Sequence, residues 1–129
     1  MEYLVGVFVA VAVAALGAIA GFDRERTYAA TILIVVGHYY VLFATMGGSS
    51  HALAVESVVA CGFLVASVLG YRKYSWLIPF GIAGHGVFDV FHHSLIENAG
   101  VPVFWPGFCM AFDVLFGAWV GWQWWRRSV

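Results

Sequence analysis

Five apolar stretches, each close to the thickness of a bilayer, leave this chain one kind of architecture. They run roughly Tyr3–Phe22, Thr27–Met46, His51–Gly70, Trp76–Ile96 and Pro106–Trp125. A helix of about 20 mostly apolar residues crosses a membrane, and it satisfies its own backbone hydrogen bonds while doing so. The breaks between the stretches are short. Asp23–Arg26 is charged, Gly47–Ser50 is a flexible turn, Tyr71–Ser75 is basic, and Glu97–Gly100 leads into an irregular segment ending at Pro106. Only 10% of the residues are charged, against about 25% in a soluble domain. The expectation is an all-α, polytopic membrane protein whose residues 1–129 form a single five-helix transmembrane domain.

The basic residues orient it. Arg24 and Arg26 follow the first stretch, Arg72 and Lys73 the third, and Arg126 and Arg127 the fifth. Alternating spans put all of them on one side. Cytoplasmic loops carry the excess of Lys and Arg, so the N-terminus is expected outside and the C-terminus in the cytoplasm. Met1–Tyr3 lacks the positive charge of a signal-peptide n-region, which makes the first stretch a helix of the bundle. Gly17/Gly21, Gly117/Gly121 and the Ala10, Ala14, Ala18 stripe suit close packing of helices in lipid. The tryptophans at 119, 122, 124 and 125 suit an interfacial belt.

The spans are not uniformly apolar. His85, Asp89, His92 and His93 lie in the fourth, His38 in the second, Glu56 in the third and Asp113 in the fifth. An ionisable side chain at the bilayer centre costs about 2.5–3.5 kcal/mol on insertion scales. Counted from the outer ends of the spans, these residues share a slab on the order of 10 Å thick. The first span contributes none. On a helix His85, Asp89, His92 and Ile96 fall on one face. So do Glu56, Ala60, Phe63 and Ser67, and so do Cys109, Asp113 and Phe116. Thr31, His38 and Thr45 recur every seventh residue. Four such faces looking inward would form one pocket in the outer half of the membrane, with the first helix packed outside it.

Imidazole and carboxylate together suit zinc or iron. His38, His85, Asp89, His92, His93 and Asp113 are the candidate ligands, with zinc or iron as the cofactor. Asp89, Asp113 and Glu56 are the candidate catalytic groups, since a carboxylate not engaged by an ion can act as a general base. The competing structural explanation is that His85–Asp89 and His92–Asp113 are hydrogen-bonded pairs holding helices together. Cys61 and Cys109 sit in no Cys-x-x-Cys motif and read as inert buried thiols.

The stretch Gly84–His93, with its His, three residues, Asp, two residues, His-His pattern, is followed by Pro102, Pro106, Cys109 and Asp113. That order resembles an uncharacterised family of small bacterial membrane proteins. The resemblance spans roughly residues 76–120. It implies that His85, Asp89, His92, His93, Cys109 and Asp113 belong to one constellation, and it carries no activity with it.

Three functions follow as expectations. The first is a membrane-embedded metal-dependent enzyme with its site in the outer half of the bilayer, hydrolysis of a lipid-like substrate being preferred over oxidation. The alternatives are a transporter or channel for a metal ion or protons, and an accessory subunit binding haem, pigment or quinone in a larger membrane complex. The expected partners are the bilayer and a second copy of the chain in a homo-oligomer, or a larger membrane complex. No basic surface suggests nucleic acid. The expected location is the cytoplasmic membrane of a bacterium or archaeon.

Overall fold

The computed structural model describes residues 1–129. It contains α1 (Glu2–Ala20), a 3-10 turn (Phe22–Arg24), α2 (Arg26–Gly47), α3 (Ser50–Arg72), α4 (Leu77–Leu95) and α5 (Trp105–Ser128). The chain is all-α, with five long helices. Helices α1, α2 and α3 are long and apolar enough to cross a membrane. Helices α4 and α5 have the length but less apolar character, because they carry His85, Asp89, His92, His93, Asp113 and the terminal arginines.

The turn chemistry explains the helix ends. Gly21 closes α1 at φ +78° and Gly48 closes α2 at φ +72°, left-handed values that a Cβ disfavours. Ser49 caps α3, its hydroxyl accepting from the Ala52 N–H at 3.1 Å. Pro79 and Pro106 sit in the first turns of α4 and α5, where the missing N–H has no intrahelical partner to lose.

Two closely packed hairpins, α2–α3 and α4–α5, build the bundle, and α1 lies against α5. Ser67 donates to the Ala30 carbonyl at 2.8 Å and joins α3 to α2. Tyr28 donates to the Val13 carbonyl at 2.7 Å and its ring lies over Gly17, joining α2 to α1. An apolar core of Leu33, Val36, Ile78, Ile82, Phe116 and Val120 fills one half of the bundle. At that end Arg127 donates to the Asp23 carbonyl and carboxylate at 2.8 and 3.0 Å, and Gln123 adds a third bond at 3.0 Å. The latch ties the α1–α2 turn to the end of α5. Apart from Asp23, the buried ionisable residues occupy the other half.

One inward face differs from expectation. Thr31 and Thr45 are exposed and His38 is half-buried, whereas Leu33, Val36, Gly37, Tyr40 and Ala44 are buried. Helix α2 is apolar all round, so its polar spacing does not set its rotation. The close approach of Gly37 to the Phe63 side chain does.

Helices α4 and α5 meet through glycine. A Cβ at Gly117 would lie 2.9 Å from both the Pro79 carbonyl oxygen and the Ala83 nitrogen. Backbone atoms cannot swing aside, so the helices would have to part. Gly117→Ala is expected to destabilise the protein by about 1–3 kcal/mol, measured by thermal unfolding in detergent. Gly62 faces open space, and Gly62→Ala is expected to be neutral or slightly stabilising, since alanine favours the helix by up to ~1 kcal/mol.

Candidate metal centre

Helix α4 presents His85 and Asp89 one turn apart, and α5 presents Cys109 and Asp113 one turn apart. These spacings place each pair on one helix face. Gly86 lets the faces close, since a Cβ there would meet the Asp113 Cβ at 3.0 Å and the Met110 carbonyl at 3.1 Å. One donor atom from each of His85, Asp89, Cys109 and Asp113 lies within 4.8 Å of the others. All four residues are at most 2% exposed.

His85 Nδ1 donates to Asp113 Oδ2 at 2.7 Å and lies 3.5 Å from Asp89 Oδ2. The Cys109 thiol donates to the same Asp113 oxygen at 3.4 Å. Three buried atoms of this group have no hydrogen-bond partner: His85 Nε2, Asp89 Oδ2 and Asp113 Oδ1. More than about 90% of buried polar groups find a partner. Three orphans in one cluster are what a donor set built for a cation would leave. One imidazole nitrogen, one thiol and two carboxylates are ligands that suit zinc or iron.

A second polar group adjoins the first. His92 Nε2 donates to Glu56 Oε1 at 2.6 Å, and Asn98 donates to the same oxygen at 3.0 Å and to the Tyr40 carbonyl at 3.1 Å. Tyr40 joins the groups. Its hydroxyl donates to Asp89 Oδ1 at 2.5 Å, while its ring stacks on His92 with centroids 3.8 Å apart. These polar residues thus form a row from Cys109 and Asp113 through His85, Asp89 and Tyr40 to His92, Glu56 and Asn98. Beyond Asn98, a cleft of about 440 Å³ opens at the α4–α5 loop, with His92 and His93 on its wall beside Ile96, Val101, Pro102 and Pro106.

The candidates from sequence are therefore divided. His85, Asp89 and Asp113 come together, and Glu56 and His92 form a separate pair beside them. His38 does not join: its Nδ1 bonds to the Ile34 carbonyl of its own helix at 2.7 Å, so the imidazole is satisfied one turn away. His93 is exposed and points away from the buried groups, toward the loop cleft. Neither belongs to the donor set. The expected His92–Asp113 pair is replaced by Glu56–His92 and His85–Asp113, because His92 lies two turns beyond His85 and meets α3 instead of α5. Cys61 is exposed, but Cys109 is a member of the cluster. Tyr40 and Asn98 carried one sequence signal each. A tyrosine mid-span needs a hydroxyl partner, and an amide in an irregular loop tends to bond backbone.

No family model, curated protein or solved structure matches this chain.

Proposed function

We propose that this chain is a membrane-embedded, metal-dependent enzyme that hydrolyses a lipid-like or amphipathic substrate. In this reading it spans the membrane five times, with the N-terminus outside and the C-terminus in the cytoplasm. The orientation is supported by the basic residues in the 3-10 turn after α1, at the start of α2 and at the ends of α3 and α5. The observation that carries the metal reading is the buried donor group of His85, Asp89, Cys109 and Asp113, with its three orphaned atoms.

Tetrahedral catalytic zinc keeps one position open for water or substrate. His85, Cys109 and Asp113 are the three ligands in this proposal. Asp89 is the fourth group, because Tyr40 already occupies one of its oxygens and orients the carboxylate. A divalent ion bound there would supply Lewis acidity. Asp89 would take the proton of the attacking water and pass it to the leaving alcohol, and Tyr40 holds that carboxylate in position. Glu56 and His92 form an acid–base pair on the side of the row nearest the loop cleft. The apolar wall of that cleft, from Ile96 to Pro106, suits an acyl or similar chain. The same row of side chains favours a second reading, a conduit for protons or metal ions, because it links the innermost donors to the cleft.

The test is elemental analysis of protein purified without a histidine tag, followed by assay of an amphipathic ester in detergent. Roughly one zinc or iron per chain is expected, with ester hydrolysis lost to a chelator and restored by the metal. A chain that neither retains nor takes up a transition metal sinks the metal reading. Metal-dependent ion flux into proteoliposomes without hydrolysis transfers the assignment to the conduit.

A further inference from the structure

The opposite end of the bundle holds a second candidate site, unrelated to the metal donors. An open cleft of about 450 Å³ lies between the 3-10 turn, the start of α2, the start of α4 and the end of α5. Arg24, Arg26 and Arg127 line it together with Ser75, Trp76 and Trp125. Arg127 is spent on Asp23. Arg24 and Arg26 form no ion pair with any carboxylate. They also border a neighbouring cleft of about 510 Å³ that adds Arg72, Tyr71 and Glu25. At this end six basic side chains face only Asp23, Glu25 and the C-terminal carboxylate.

Topology signals require basic residues near the membrane surface, but they do not require them to share a cavity. Here two arginines without acidic partners line both of two clefts, one of them also lined by tryptophan and by Ser75. Guanidinium groups recognise phosphate oxygens through paired N–H bonds. Tryptophan rings suit the headgroup depth of a bilayer. Cavities of this size accommodate a small-molecule headgroup.

We infer that Arg24 and Arg26, with Ser75 and the flanking tryptophans, bind the phosphate of an anionic ligand, either a phospholipid headgroup or a soluble phosphoester. Arg127 acts differently, holding the wall of the cavity through Asp23. The site stands apart from the metal proposal and survives its failure.

Binding is measured on the detergent-solubilised full chain by native mass spectrometry. The probes are phosphatidylglycerol, phosphatidylcholine and inorganic phosphate. Phosphatidylglycerol is expected to bind at least about tenfold more tightly than the zwitterionic lipid. The double variant Arg24→Gln/Arg26→Gln is expected to lose that preference. Arg126→Gln, whose side chain lies over the Trp122 ring outside this cavity, is expected to retain it. Displacement of phosphatidylglycerol by millimolar inorganic phosphate assigns the site to soluble phosphoesters, and resistance to it assigns the site to lipid. Equal retention of the two lipids by the unmodified protein, with no binding of inorganic phosphate, overturns the inference without any variant having to fold. So does an equal loss of preference in Arg126→Gln, which would mean that total charge alone is at work.

Discussion

Asp113→Asn protein is expected to emerge from purification with its transition metal largely gone. The substitution keeps the size of the side chain and removes its negative charge. Asp113 Oδ2 accepts from both His85 and Cys109, and Oδ1 has no partner. The carboxylate is therefore both a candidate ligand and the group that orients two others. Loss of an outer partner of a metal ligand typically costs 10–100-fold in affinity, and loss of a ligand that also orients its neighbours is expected to exceed about 100-fold. Elemental analysis and zinc competition measure it. His38→Ala and His93→Ala serve as controls, because neither imidazole touches the donor group, and both are expected to keep the metal. Full metal retention in Asp113→Asn, with thermal stability lowered, would leave the Asp113 carboxylate as polar glue between α4 and α5.

The largest effect on stability is expected at the Glu56–His92 pair. His92→Leu removes the 2.6 Å partner of a carboxylate that is 1% exposed. Asn98 remains bonded to Oε1, while Oε2 has no partner even before the substitution. Breaking a buried pair from one side costs about 3–5 kcal/mol, because the remaining charge is left uncompensated. Interhelical hydrogen bonds in membranes average only about 0.6 kcal/mol. The desolvated carboxylate, not the bond, therefore sets the size of the loss. The double variant Glu56→Leu/His92→Leu removes that charge as well and is expected to recover part of the loss. Thermal unfolding of the two single variants and the double variant in detergent completes the cycle. Strict additivity, within about 0.5 kcal/mol, would mean that the two side chains do not act as a pair.

The helices and most of their inward faces could be read without tertiary structure. Runs of about 20 apolar residues broken by Asp23–Arg26, Gly47–Ser50 and Tyr71–Ser75 specify helices because backbone groups in lipid have no other partners. Polar residues repeating every three or four positions marked the buried faces of α3, α4 and α5, since such residues are too costly to point at lipid. Periodicity failed where that cost is evaded or absent. His38 bonds to the Ile34 carbonyl of its own helix, so it needs no interior partner. Tyr40 looks like any other aromatic of an apolar span until its hydroxyl is seen on Asp89.

The sequence by itself determined how far along its helix each ionisable residue lies and which turns are basic, because rise per residue and charge are properties of the chain alone. Which of those residues touch was decided only by the tertiary structure. Gly86 and Gly117 bring α4 against α5 and give His85 to Asp113, Gly37 packs against Phe63 and so turns Tyr40 inward, and the loop after α4 returns Asn98 to Glu56. Depth is set along one helix, whereas contact depends on the rotation and spacing of two, and close packing between helices fixes both.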